Sequence, residues 1–325
     1  MPHTLLTRRA LLQASAAAAA FACVSRAGAQ AWPTRSIRLI CPWTAGGSID
    51  GVMRAMGQSV SRQLGVTLVV ENRPGASGTL GAVELANAKP DGYTLSQIPP
   101  ATFSLPNMQK VQFDPIKDIT YIAGLAGSTN GLVARSDGPV KSIRELVDFA
   151  RAQPDAFTYS SPGVGTFAQL AAEDFAQKAG IKLRHIPYKG DADALQAVLG
   201  GHVMAVSSST SWAPHVDSGT LRLLANYGTT RIKHWPDAPT LRETGYETVF
   251  TDSPYGIGGP RGMDSAIVGK IQEAFHQALS DPQVVALLDR NDMPVMFQDH
   301  AAFTKYARDT LAARKVVIDR LGLGI

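Results

Sequence analysis

The sequence predicts an α/β protein of two lobes, and three observations predict it. Short apolar runs alternate with helical patterns from residue 37 to 98, and a second series of the same kind runs from about 142 to 227. Tyr255-Gly256-Ile257-Gly258-Gly259 then reads as a short strand that returns the chain to the first series. Alternation of this kind builds mostly parallel, doubly wound sheets flanked by helices. A chain that crosses twice between two such sheets carries a hinge.

In the first series, strands at 37–42, 66–71 and 93–98 are separated by helices at about 50–64 and 79–88, and Pro90-Asp91-Gly92 makes the last turn. Asp50 is read first at the cap or in the first turn of the first helix, where a carboxylate complements the macrodipole, and otherwise as facing the ligand. After the apolar stretch Tyr121 to Val133, Ser142-Ile143-Arg144-Glu145 reads as a capping box that opens a helix to about Ala152. A strand at 156–160, the turn Ser161-Pro162-Gly163-Val164-Gly165-Thr166 and a helix to about Ala179 follow. A strand at 183–188, a helix at 191–199 and strands at 203–208 and 221–227 complete the series. The rest is helical. Asp281-Pro282 sets a capping residue before a proline at the first helical position, and residues 300–321 repeat Phe303, Tyr306, Ala307, Leu311, Val317, Ile318 and Leu321 at helical spacing, as a core face does. The expected organisation is a leader at 1–29, a first lobe from 30–130 and 255–325, and a second lobe from 131–254.

The loops carry the chemistry. Cys41-Pro42-Trp43-Thr44-Ala45-Gly46-Gly47-Ser48-Ile49-Asp50 places a glycine turn between a strand and a helix start, where backbone N–H groups have no intrahelical partner and glycine lets a ligand approach. It lacks the Gly-Lys-Ser/Thr ending of a nucleotide loop and the dinucleotide spacing, so a smaller anion fits it better. Asn72-Arg73-Pro74-Gly75-Ala76-Ser77-Gly78-Thr79 is a second such turn, and the Ser161 to Thr166 turn is a third, offering N–H and O–H donors.

Thr7-Arg8-Arg9-Ala10-Leu11-Leu12, an Ala-rich apolar stretch to about Val24 and Ala27-Gly28-Ala29 read as a twin-arginine export signal cleaved after Ala29. The stretch is shorter than the ~20 residues a spanning helix needs. Lipid modification of Cys23 is a competing reading, which Phe21 fits poorly. Cleavage leaves Cys41 alone, excluding an intrachain disulfide and a thiolate cluster; it closes an apolar strand as a small hydrophobe. The formal charge of +4 includes leader arginines, and no long Lys/Arg block follows, so nucleic acid is not an expected partner. A hydrolase would show a Gly-x-Ser-x-Gly elbow, and a metal enzyme a pattern such as His-Glu-x-x-His; instead His185, His202, His215, His234, His276 and His300 are scattered.

Ala31-Trp32-Pro33-Thr34-Arg35, Ala45-Gly46-Gly47-Ser48-Ile49-Asp50, Glu71-Asn72-Arg73-Pro74-Gly75-Ala76-Ser77-Gly78, Lys89-Pro90-Asp91-Gly92-Tyr93-Thr94-Leu95, Pro187-Tyr188-Lys189-Gly190 and Leu199-Gly200-Gly201-His202-Val203 together resemble the signatures of the Bug family. These are periplasmic solute receptors of tripartite tricarboxylate transporters. The resemblance runs through the mature chain in the family's order. It implies a type II-like periplasmic binding fold that closes on a small organic acid in the interlobe cleft, with no cofactor, no metal and no catalysis. It implies a monomer that presents its ligand to the membrane subunits of a tripartite transporter, or to a sensor kinase ectodomain; an exported hydrolase acting on a carboxylate-bearing substrate is the alternative reading. Carried onto this chain, the ligand positions are Ala45, Gly46, Gly47 and Ser48, then Gly75, Ala76, Ser77 and Gly78, with Ser161, Gly163, Gly165, Thr166, Tyr188 and Lys189 from the second lobe. Ser207, Ser208 and Asp252 join them as residues at strand ends. Arg73 and Lys189 are read first as solvated cations. The chain departs from the family pattern at Trp43, Phe167 and Asp193. The two aromatics are read first as lobe packing, as large rings usually are, and otherwise as walls for an aromatic or bulky acid.

Overall fold

A computed structural model of the chain describes residues 32–252 and 254–325. The leader, its cleavage point and Cys23 lie outside the described residues. The first series folds as β1 (Ile37–Cys41), α1 (Ser48–Leu64), β2 (Leu68–Asn72), α2 (Leu80–Asn87) and β3 (Thr94–Ile98). β1 lies between β2 and β3 and is parallel to both, with Ile40 beside Glu71 on one side and Ser96 on the other. Ile37, Leu39, Ile40 and Cys41 are fully buried, as a central strand covered on both faces requires. α1 ends at Gly65, whose φ of +69° suits glycine and whose N–H closes on Ser61 O.

The apolar stretch 121–133 is not one element. β4 (Ile119–Gly127) ends the first sheet's share of it, and β5 (Asn130–Arg135) opens a second sheet after Ser128 and Thr129. β5 is joined there by β6 (Thr158–Ser161), β7 (Arg184–Pro187), β8 (Ala205–Ser209) and β9 (Leu221–Asn226) in the order β7-β6-β8-β5-β9. Around these strands lie α4 (Ile143–Ala152), α5 (Phe167–Ala179), α6 (Asp191–Leu199) and the short α7 (Ala213–Asp217), α3 being the single turn Ala101–Ser104 after β3. The chain then returns as β10 (Pro254–Pro260), which inserts between β3 and β4 antiparallel to both, and β11 (Val295–Gln298) pairs antiparallel with β4 at the edge. Both sheets are therefore mixed rather than mostly parallel: β5 and β10, which arrive from the other sheet, and β11 at the edge run against their neighbours. Gly256 of β10 has no room for a side chain: a Cβ there would sit 2.2 Å from Ala123 O and 2.6 Å from the Phe303 ring.

α8 (Ser265–Ala278), α9 (Pro282–Arg290) and α10 (His300–Arg320) complete the fold, and Asp264, Asp281 and Asp299 each cap one of them by accepting a first-turn N–H. α10 serves two cores. Phe303 and Ala307 pack with Phe103 and Tyr121 under the first sheet, whereas Ile318, fully buried, packs with Phe175 and Phe250 in the core of the second. No described helix is long and apolar enough to cross a membrane.

Candidate ligand-binding cleft

The C-terminal ends of β1, β3, β6 and β8 open into one place, the usual position of a ligand crevice in α/β sheets. A cavity of ≈ 40 Å³ lies there, with Trp43, Gln97 and Tyr255 from the first lobe and Thr166, Phe167, Asp191 and Ser209 from the second among its walls. At 10–15 Å³ of such volume per water, it holds about three waters with the lobes as they stand, and a whole organic acid needs them further apart.

Around this cavity the two lobes touch through small groups. Ser48 Oγ is 3.3 Å from Ser209 Oγ, so the start of α1 faces the second lobe. A Cβ on Gly163 would meet Ser77 Oγ at 2.6 Å, and one on Gly190 would meet Thr44 Oγ1 at 2.9 Å. Gly47 stands at the N-cap of α1 and no side chain caps that helix, which leaves its positive end facing the cleft. Asp50 is in the first turn, as one of its two readings held. Its carboxylate accepts Gly46 N–H at 3.0 Å, Asn72 Nδ2 at 2.7 Å and Arg54 Nε at 3.1 Å. Those hydrogen bonds hold its carboxyl below the usual range although burial opposes them.

The glycine loops are more self-contained than their sequence suggests. Gly46 N–H is taken by Asp50, Gly78 N–H by Gly75 O, Gly163 N–H by Ser161 Oγ and Gly165 N–H by Gln169 Oε1. In the second loop Ala76 and Ser77 adopt φ of +45° and +56°, a left-handed backbone that costs L residues ~1–3 kcal/mol and tends to persist where function requires it. Trp43 explains part of that shape: its indole lies where a Gly78 side chain would be, and its Nε1 donates to Gln97 Oε1 at 2.9 Å.

Of the positions expected to meet ligand, Thr166 lines the cavity, and it also caps α5 while donating to Gly163 O at 2.8 Å. Ala45, Gly46, Gly47, Ser48, Gly75, Ala76, Ser77, Gly78, Gly163 and Gly165 are not among the cavity's lining residues; of these, Ser48 meets Ser209 and Ser77 lies against Gly163 where the lobes touch. Ser161 and Ser207 point elsewhere. Ser161 Oγ pairs with His185 Nε2 at 2.6 Å, and Ser207 Oγ lies between Ala168 O at 2.7 Å and Tyr227 OH at 2.8 Å. Both serines are fully buried and bind neighbouring elements together; Ser208 Oγ likewise donates to Ser209 O at 3.2 Å. Tyr188 and Lys189 lie on an outer groove of the second lobe with His202, and exposed Asp252 borders a larger hollow, with Asn226 and Asp292, that shares Ser128, Asn130 and Phe167 with the cavity. Arg73 is paired with Glu71 at 2.6 Å.

Sequence reading missed Gln97, Asp191 and Ser209, and it read Trp43 and Phe167 first as packing and only otherwise as pocket walls. Both aromatics line the cavity. Phe167 does so while packing edge-on against Phe250 and Tyr227. Burial pulls His185 down to about 4, so its pair with Ser161 involves a neutral ring near pH 7, and Ser161 has no exposed surface from which to attack a substrate. Among the described residues no cluster of His, Cys, Asp or Glu is arranged to hold a metal.

Residues 52–323 match the model of the tripartite tricarboxylate transporter family receptor. The "UPF0065 protein in gbd 5′ region" of Cupriavidus necator is 40% identical over 98% of this chain and 97% of its own length. The periplasmic binding protein BugD superposes with a TM-score of 0.85 at 26% identity, over 90% of this chain and 99% of that one. R. palustris Rpa4515 with adipate superposes with a TM-score of 0.83 at 27% identity, over 90% and 98%.

Proposed function

Because the chain belongs to the tripartite tricarboxylate transporter receptor family, whose members are solute-binding proteins and not enzymes, we propose that it is exported, closes its lobes on a small organic acid and presents that acid to the membrane subunits of a tripartite transporter. The observation that carries this reading is the cavity at the converging strand ends, walled by both lobes and faced by the uncapped start of α1. A carboxylate there meets the positive end of a helix and the hydroxyl of Ser48. Micromolar affinity corresponds to about 8 kcal/mol, and hydrogen bonds to a charged group contribute roughly 1.5–3 kcal/mol each, so a few such contacts with apolar burial against Trp43 and Phe167 suffice after the cost of association.

The movement follows from the connections. Residues 30–130 and 255–325 form one lobe in this reading and 131–254 the other, with Ser128-Thr129 and the segment before β10 as the crossings. Ligand docks on one lobe, the contacts of Ser48 with Ser209 and of Ser77 with Gly163 form only on closure, and that difference in affinity shifts the population. The closed face is then what the transporter recognises.

The test is thermal unfolding of the purified protein, refolded from denaturant to strip any carried-over acid, with succinate, glutarate, adipate, benzoate, glutamate and 4-aminobutyrate. A saturable rise in Tm with at least one of them, without chemical change in the acid, is expected, since a ligand that binds only the folded state stabilises it. No rise with any acid, or conversion of one, sinks the receptor reading.

A further inference from the structure

The cavity has two chemically unlike ends. On the first lobe, Gln97 is fully buried; its Oε1 accepts from Trp43 Nε1, and its Nε2 donor has no partner. A buried donor in that state calls for an acceptor from whatever enters. On the second lobe stands a carboxylate. Asp191, the first residue of α6, lines the same cavity, with Oδ2 accepting Ser209 Oγ at 2.7 Å and Oδ1 accepting Ser209 N–H at 3.3 Å. These two bonds leave part of its acceptor capacity unused. Among the described residues no lysine, arginine or histidine forms an ion pair with it.

A carboxylate in that position opposes a simple dicarboxylate. The second carboxylate of such a ligand would be enclosed beside Asp191, and like charges in a confined, poorly screened space repel strongly. We infer that the acid this receptor takes carries a cationic nitrogen, which pairs with Asp191 while its carboxylate meets Gln97 and the first-lobe donors. The inference rests on the receptor reading and names its ligand class: a zwitterionic acid. Burial pushes the Asp191 carboxyl up, the signature of an enclosed acid lacking a counter-charge, and a bound cation supplies one. A purely architectural role, complementing the dipole of α6 and tying down the end of β8, accounts for the bonds to Ser209 but not for the place in the cavity wall beside an unpartnered donor.

Titration calorimetry with matched pairs separates these roles: glutamate against glutarate, and 4-aminobutyrate against butyrate, at pH 7 with refolded wild-type protein. The amino acid of at least one pair is expected to bind roughly tenfold or more tighter than its partner lacking nitrogen, the return for one charge-assisted contact. Asp191→Asn, which keeps an acceptor for Ser209 Oγ, is expected to erase that preference. Equal or tighter binding of glutarate and butyrate to wild type overturns the inference and leaves the receptor standing. A variant that melts earlier yet keeps the preference overturns it too, since Asp191 is then only architectural. Binding of neither class overturns the inference together with the receptor reading. The wild-type comparison holds whether or not the variant folds.

Discussion

The two lobes meet at a front and at a back, and the two meetings are made of different material. At the front, around the cavity, the contacts are hydroxyl to hydroxyl at 3.3 Å between Ser48 and Ser209, and side chain against bare glycine at Gly163 and Gly190. At the back, α10 lays Ile318 into the second lobe's core, and Arg320 reaches Asp174 at 2.6 Å. Hydroxyl contacts of that length contribute little, whereas a buried aliphatic side chain and a hydrogen-bonded buried carboxylate each contribute substantially. The difference teaches which seam is permanent. In the proposed closure the front is the seam that opens, and the back keeps one end of the first lobe's last helix fastened to the other lobe.

The largest expected effect comes from breaking the back. Ile318→Ala removes buried methyl groups from a packed core, for a loss of about 3 kcal/mol by analogy with other large-to-small core changes. Urea unfolding of wild type and variant measures it. A loss below about 1 kcal/mol would mean that the end of α10 is not a working part of the second core.

Asp174→Asn is expected to cost somewhat less, about 2 kcal/mol, because Arg320 keeps some exposure and remains solvated when its partner is neutralised. Asp174 has no exposed surface; despite burial, hydrogen bonds from Val249 N–H and Arg320 hold its carboxyl below the usual value near 3.8. A depressed carboxyl contributes stability that is fully present above the unfolded value and is lost as pH falls through the folded one. The gap between wild type and Asp174→Asn should therefore be constant from pH 7 to about 5 and close below about 4. Unfolding series across that range and down to pH 3 check it, and a gap that does not shrink at all between pH 5 and 3 would show that packing rather than charge holds the strap.

Much of the back was legible in the sequence and much of the front was not. The helical repeat from Phe303 to Leu321 announced a buried stripe, Asp281-Pro282 announced a helix start, and Ser142-Ile143-Arg144-Glu145 a cap, which Ser142 Oγ makes by accepting Glu145 N–H at 3.2 Å. These are local patterns, set by neighbours within a turn. The break at Ser128-Thr129 was invisible because an apolar run says that a segment is buried, not in which sheet. The cleft was half visible: glycine turns marked its rim, but the loops' own side chains, Asp50 and Gln169 among them, take N–H groups that looked open. Gln97, Asp191 and Ser209 come together from three strand and helix ends far apart in the chain, and nothing in the spacing of a glutamine and an aspartate 94 positions apart announces one cavity.

The front is tested by Thr44→Phe, with the smallest expected effect of the three. Thr44 lies against Gly190 so closely that a Cβ on the glycine would be 2.9 Å from its hydroxyl, and the glycine's lack of a side chain is what lets the lobes meet there. A phenyl ring at position 44 has no such room in the closed form, yet in an open form it projects into water and strains nothing. Acid affinity is therefore expected to fall about tenfold, or ~1.4 kcal/mol, while the unfolding free energy without acid changes by less than about 0.5 kcal/mol. Calorimetric titration of the tightest-binding acid and urea unfolding of the same preparation give the two numbers. If affinity and stability fell together, the seam at Thr44 would be as permanent as the one at Ile318, and the front would not be the part that moves. If neither fell, the contact between Thr44 and Gly190 would not form when ligand binds, and closure would turn on Ser48 and Ser77 alone.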